Sequence, residues 1–190
     1  MLSNTIRIIG GKWRGKKLSF PANSPARPTL DQIRETLFNW LQPIISESRC
    51  LDMFAGSGAL GIEALSRGAA HVTFVDQDAS TLMHLSRQLQ ELNANNSETL
   101  RLSMPAGLSQ ISPPAFAPVF DIIFLDPPFD SDLLDQTLNA LATSPLVKSG
   151  TQVYFETSSY HEFNFSDKWT LHRHKKTKRI SYGLLTYQSI

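Results

Sequence analysis

Hydrophobic and polar positions change period several times along the chain. Residues 6–20 alternate apolar and basic side chains around Gly10, Gly11 and Gly15, with Ile6, Ile8, Leu18 and Phe20 on one side and Arg7, Lys12, Arg14 and Lys16 on the other. Period two with glycine punctuation predicts a short β-hairpin or two bent strands. Pro21, Pro25 and Pro28 mark a linker. Thr29, with Gln32 three residues on, makes a capping box, and Leu30, Ile33, Leu37 and Leu41 follow at helical spacing until Pro43. Arg34 and Glu35 fall off that stripe and are expected on the surface.

From Arg49 onward strands and helices alternate. Residues 50–54 read as a strand, and Gly56-Ser57-Gly58-Ala59-Leu60-Gly61 turns into a helix carrying Leu60, Ala64 and Leu65. Residues 72–75 form a second strand ending at Asp76, and Asp78 caps a helix with Leu82, Leu85, Leu89 and Leu92 on one face. A weak third strand at 100–102 precedes Pro105, and residues 110–118 form a Pro-rich loop. Residues 120–125 are the fourth strand, 132–143 the helix behind it, and 152–155 the fifth strand, ending at Glu156. Residues 169–174 and 180–187 read as a terminal antiparallel hairpin. Repeated βα units predict an α/β fold with a doubly wound, mostly parallel sheet. No internal repeat appears in the sequence.

Charge changes this picture more than composition does. The 190 residues are 41% hydrophobic, with no run near the roughly 18 apolar residues of a membrane span. Met1-Leu2-Ser3-Asn4 opens no signal peptide, and the single Cys50 excludes an internal disulfide, so a cytoplasmic protein is expected. Net charge is only +1. Yet residues 1–40 hold Arg7, Lys12, Arg14, Lys16, Lys17, Arg27 and Arg34 against Asp31 and Glu35. Residues 168–190 hold Lys168, Arg173, Lys175, Lys176, Lys178 and Arg179 and no acid. A basic head and tail around an acidic body point to a polyanionic partner such as nucleic acid, the alternative being two solvated faces. Trp13 among those bases is suited either to stacking on a nucleobase or to covering a small apolar face.

Two loops carry candidate chemistry. The glycine segment follows a strand and opens a helix, and Asp76 ends the next strand, where a carboxylate accepts both hydroxyls of a ribose. An adenosine-containing cofactor fits. Asp52, four residues before Gly56, suits a cofactor ammonium better than a pyrophosphate, which favours S-adenosylmethionine over a dinucleotide. The second loop follows Ile122-Ile123-Phe124-Leu125, an apolar run of the kind a doubly covered parallel strand requires. It breaks at Asp126-Pro127-Pro128-Phe129. Proline ends the strand and stiffens the chain beyond it, so the loop is either a capped turn or a rigid ligand contact at a carboxyl edge. Asp126 and the Pro127 carbonyl would accept the N–H bonds of an exocyclic amine and localise its lone pair, while Phe129 stacks on the base. No general base is needed for that chemistry. His84 reads as helix surface, and His172 with His174, on one strand face, is a weak metal signal; no metal is expected.

These residues resemble those of class I S-adenosylmethionine-dependent amino methyltransferases. More closely, the chain resembles the RsmD family, bacterial 16S rRNA guanine-N2 methyltransferases, over nearly its whole length. The matching segments are Arg7-Ile8-Ile9-Gly10-Gly11-Lys12-Trp13-Arg14-Gly15, Arg27-Pro28-Thr29, Ile33-Arg34-Glu35-Thr36-Leu37-Phe38-Asn39, the run Leu51 to Gly61, and Asp126-Pro127-Pro128-Phe129. The resemblance implies a Rossmann-like class I methyltransferase fold, a mostly parallel seven-stranded sheet with an antiparallel C-terminal hairpin. It also implies a basic N-terminal hairpin and linker over residues 1–28, and a methyltransferase domain over 29–190.

By that resemblance Asp52, Ala55, Gly56, Ser57 and Gly58 line the methionine part of the cofactor and Asp76 its ribose, and Phe54 and Gln77 also bind the cofactor. Met104, Pro105 and Ala106 border the adenine, where such enzymes often carry Asp or Asn, so adenine recognition falls to backbone groups or apolar packing. Asp126, Pro127, Pro128 and Phe129 hold the guanine, and Arg7, Lys12, Trp13, Arg14, Arg27 and Arg34 grip RNA. The implied partner is 16S rRNA or the assembling small ribosomal subunit, met by a monomer. Two rival readings stay open: methylation of another nucleobase amine, such as adenine N6, and a non-catalytic RNA-binding assembly factor.

Overall fold

The computed structural model describes residues 5–19, 31–111, 119–129, 131–163 and 165–189. The linker with Arg27, the capping Thr29, Phe20 and most of the Pro-rich loop lie outside these. The strands β1 (Thr5–Arg7) and β2 (Lys17–Ser19) pair antiparallel as a separate two-stranded sheet, with Ile6 opposite Leu18. The remaining strands are β3 (Arg49–Asp52), β4 (His71–Asp76), β5 (Ser97–Arg101), β6 (Ile122–Leu125), β7 (Gln152–Ser158), β8 (Trp169–Lys176) and β9 (Ile180–Tyr187). They form one sheet in the order β5-β4-β3-β6-β7-β9-β8. Helices are α1 (Asp31–Leu41), α2 (Ala59–Ser66), α3 (Ala79–Glu91) and α4 (Leu133–Leu141). The chain clusters into two compact units, Met1–Arg101 and Leu102–Ile190.

In the first unit β3, β4 and β5 run parallel, Cys50 opposite Val72 and Val72 opposite Ser97. Cys50, Leu51, Val72, Phe74 and Val75 are fully buried, as strands covered on both faces require. The strand β5 begins at Ser97 and stops at Arg101, earlier than the apolar pattern suggests. As an edge strand it tolerates the polar Ser97 and Glu98, and its burial is correspondingly partial. Every residue of α2 is buried. Asp78 caps α3, its carboxylate accepting the Thr81 N–H at 2.7 Å.

The hairpin is fixed to α2 by polar contacts. The Glu63 carboxylate, wholly buried, accepts the backbone N–H groups of Ile9 and Gly10, each at 2.8 Å, and Nε of Arg67 at 2.7 Å. The Trp13 N–H donates to Ser66 Oγ at 2.9 Å, and that hydroxyl donates to the Gly10 carbonyl at 2.6 Å. Gly11, at φ +73°, comes so near the end of α2 that a Cβ there would lie 1.8 Å from the Ser66 carbonyl oxygen.

In the second unit β6 and β7 are parallel, with Leu125 opposite Phe155, and β9 pairs antiparallel with both β7 and β8. All four residues of β6 are buried. The strand β7 continues past Phe155 to Ser158 because β9 still pairs with it there, Ser158 opposite Ile180. The register shifts between Leu171 and Arg173. That bulge breaks the alternation, so His172 and His174 do not form the same-face pair expected from spacing. Nε2 of His174 lies 2.8 Å from Ser181 Oγ instead. Among the described residues no three His, Cys, Asp or Glu side chains group to hold a metal, and no helix is long and apolar enough to cross a membrane.

Candidate active site

The strand β3 ends at Asp52, and the chain then turns sharply through Gly56 (φ +51°) and Gly58 (φ +75°) into α2. Both glycines occupy the left-handed region, which side chains with a Cβ adopt at a cost. At Gly58 a Cβ would also lie 2.4 Å from Leu85 Cδ1. Gly61 has a packing reason of its own, because a Cβ there would meet the Phe74 ring at 2.2 Å. The Ala55 N–H donates to the Val75 carbonyl at 2.9 Å, and the Gly58 N–H to the Ala55 carbonyl at 2.7 Å, so the turn is held on both sides.

Two carboxylates shape this turn. Asp76, half-buried at the end of β4, accepts the Gly56 N–H on Oδ2 and the Asp78 N–H on Oδ1, both at 2.9 Å. A carboxylate has about four acceptor positions, so each oxygen retains capacity for a hydroxyl donor. Asp52 is buried, and its Oδ2 accepts the Gly61 N–H at 3.1 Å. Burial pushes its carboxyl up to about 7, and the neighbouring charge of Asp76 adds to the rise, while N–H groups of Gly61 and Phe54 pull the other way. A cation brought to Asp52 would favour its ionised form. Ala55, Ser57 and Gly58 are buried, Phe54 and Gly56 are partly accessible, and Gln77 is exposed.

In the second unit the loop after β6 places Asp126 and Phe129 half-buried, Pro127 buried and Pro128 exposed. The Ser131 hydroxyl donates to the Pro128 carbonyl at 2.6 Å. On β7 the Tyr154 hydroxyl donates to Glu156 at 2.6 Å. Burial holds that hydroxyl's pKa well above its ordinary value, and the charge of Glu156, then that of Asp126, add to the effect. The turn from Ser103 to Leu108 has Met104 buried, Pro105 partly accessible and Ala106 exposed. Its carbonyls at Ser103 and Pro105 accept the N–H groups of Gly107 and Leu108 at 2.8 and 3.0 Å.

The basic candidates divide. Arg7, Lys12 and Arg14 are exposed. Trp13 is only 5% exposed, so it covers α2 and does not offer a face to a base; Lys12 Nζ sits 5.5 Å from its ring centre. Arg34 is fully buried, contrary to its expected position on the surface. Its Nη2 donates to Asp31 at 2.6 Å and to the Arg7 carbonyl at 2.8 Å. The helical stripe is wider than Ile33, Leu37 and Leu41 indicate, because Phe38 is also buried, and Arg34 lies on the same face one turn before it. The pattern also gave no sign of the roles of Glu63, Ser66 and Tyr154. The one available signal for Glu63 is that it is the single charged residue in α2.

Comparison with known proteins agrees with this geometry. Residues 6–186 match the family model described as conserved hypothetical protein 95. The chain is similar to Ribosomal RNA small subunit methyltransferase D of Escherichia coli (strain K12), 41% identical over 183 residues covering 96% of this chain and 90% of that one. The Haemophilus influenzae protein of the same name is 42% identical, covering 94% and 92%. The solved structure of the Escherichia coli protein yhhF superposes with a TM-score of 0.86 at 39% identity, covering 97% of this chain and 98% of that one. The α/β layout, the glycine turn between two strand-end carboxylates and these matches together show that the chain belongs to the RsmD family of methyltransferases.

Proposed function

We propose that this protein transfers a methyl group from S-adenosylmethionine to the exocyclic N2 of a guanine in small-subunit rRNA, free or in the assembling particle. The observation that carries the reading is the loop Asp126-Pro127-Pro128-Phe129, which directly follows a fully buried parallel strand and keeps Asp126 half-accessible. The rRNA substrate is supported by the names of relatives about 40% identical across nearly the whole chain. Exposed Arg7, Lys12 and Arg14, with Lys16 and Lys17 also exposed on the same hairpin, are available to its phosphates.

When bound, S-adenosylmethionine supplies an electrophilic methyl group on a sulfonium. In the first unit, Asp52 would face its ammonium and Asp76 its ribose hydroxyls, around the cradle made by Gly56 and Gly58. In the second unit, Asp126 and the Pro127 carbonyl would accept both N–H bonds of the guanine amine. That favours a pyramidal nitrogen whose lone pair is no longer spread into the ring. Acceptors fixed beforehand by a strand end and two prolines do this without reorganising during transfer. Phe129 holds the extruded base by its face, worth about 1–3 kcal/mol. Because total charge would not change during the transfer, the alignment of the amine by these residues would supply most of the rate gain. The methylated ammonium is acidic and releases its proton without a strong base.

Nucleoside mass spectrometry of small-subunit rRNA from cells lacking the protein tests this. Loss of one N2-methylguanosine, restored by the purified protein with S-adenosylmethionine, is expected. Loss of a different methylated base, or of none, would overturn the reading.

A further inference from the structure

Among the described residues the most exposed large apolar side chain is Tyr160, at 87%. It sits in the turn that follows β7. Because β6 and β7 are parallel and Leu125 is opposite Phe155, this turn and the loop that begins at Asp126 leave the sheet at the same edge. The turn is not loose. The buried Ser159 donates its N–H to the Arg179 carbonyl at 2.9 Å and its hydroxyl to the Lys178 carbonyl at 3.0 Å. The Tyr160 N–H donates to Ser158 Oγ at 3.3 Å. Thus the segments carrying an exposed ring and two exposed cations are held together by the two hydrogen bonds of Ser159 to the β8–β9 turn. No ion pair among the described residues engages Lys178 or Arg179.

We propose that Tyr160, Lys178 and Arg179 form a subsite for a nucleotide flanking the methylated base, the ring stacking on its base and the two cations meeting its phosphates. This rests on the proposed RNA substrate. A base turned out of its stack leaves its neighbours with uncovered faces, and an exposed aromatic ring at the same sheet edge replaces the lost stacking. A stacking platform beside cations is sequence-tolerant, because every base has a face and every nucleotide a phosphate. Specificity for the target then stays with the loop at Asp126, and the subsite sets affinity.

The test is steady-state methylation of small ribosomal subunits purified from a strain lacking the protein. Tyr160→Ala is expected to raise the KM for subunits about 5- to 150-fold, with kcat and S-adenosylmethionine affinity unchanged, while Tyr160→Phe keeps the wild-type KM. Replacing Lys178 and Arg179 together by Ala is expected to flatten the logarithmic salt dependence of binding by about two. An unchanged KM for Tyr160→Ala overturns the proposal, and so does an equal loss in Ala and Phe variants, which would assign the effect to the hydroxyl. All these side chains are exposed, so melting temperatures should match the wild type. Equilibrium binding of a labelled 16S rRNA fragment makes the same comparison without turnover. A wild-type protein that binds rRNA through Tyr160 yet transfers no methyl would therefore contradict the methylation reading alone.

Discussion

Asp76 accepts the backbone N–H of Gly56 on Oδ2 at 2.9 Å. The acid expected to meet a ribose therefore also holds the turn expected to cradle the rest of the cofactor. One substitution should disturb both. Asp76→Ala removes a charged acceptor from two N–H groups and from the proposed hydroxyls. Each hydrogen bond to a charged group is worth about 1.5–3 kcal/mol. S-adenosylmethionine binding by calorimetry should weaken at least tenfold, and near-wild-type affinity would remove Asp76 from the site.

Asp52 gives a pH dependence with a definite sign. Its folded pKa, about 7, lies above the usual 3.8. The folded state thus holds this proton more tightly than the unfolded chain. The resulting stabilisation is complete below the unfolded value and is lost as pH rises through about 7. Without cofactor, wild-type stability relative to Asp52→Asn should fall from pH 4 to pH 7 by at most about 1.4 kcal/mol per unit, then level off. Urea unfolding across that range measures it. Cofactor binding should show the opposite trend, tightening as pH rises toward 8, because a bound ammonium favours the carboxylate. That trend should vanish in Asp52→Asn.

The hairpin's attachment offers a third test. Gly11→Ala places a methyl against the Ser66 carbonyl at a left-handed φ, and the conformation alone costs about 1–2 kcal/mol. Hydrogen exchange at the Ile9, Gly10 and Trp13 amides should accelerate and RNA affinity should drop, with S-adenosylmethionine affinity preserved. Slow exchange in the variant would show that the contact yields without releasing the hairpin.

The sequence made some of these features legible and concealed others. The parallel strands, the glycine turn and the loop at Asp126 depend on neighbours in the chain: apolar runs, glycine spacing and two prolines. Their positions matched, while strand bounds moved: β3 stops at Asp52 where the sharp turn begins, β6 starts at Ile122, and pairing carries β5 back to Ser97 and β7 on to Ser158. Arg34, Trp13 and Glu63 were not legible. Arg34 was misplaced because Phe38 widens the buried face of α1. Trp13 and Glu63 face each other's elements across more than fifty residues, and a hairpin–helix contact of that separation leaves no periodic trace. Tyr160 had no motif to mark it, and its exposure shows only once β7 and β9 are paired.

The most direct measurement compares wild type and Asp126→Ala by nucleoside mass spectrometry after incubation with undermethylated small subunits and S-adenosylmethionine, with cofactor affinity measured alongside. The wild type should yield N2-methylguanosine. The variant should lose at least about 100-fold in rate, as expected for removing a preorganised acceptor, with cofactor binding unchanged. A variant that methylates at near the wild-type rate would contradict the proposed role of Asp126 and the mechanism built on it.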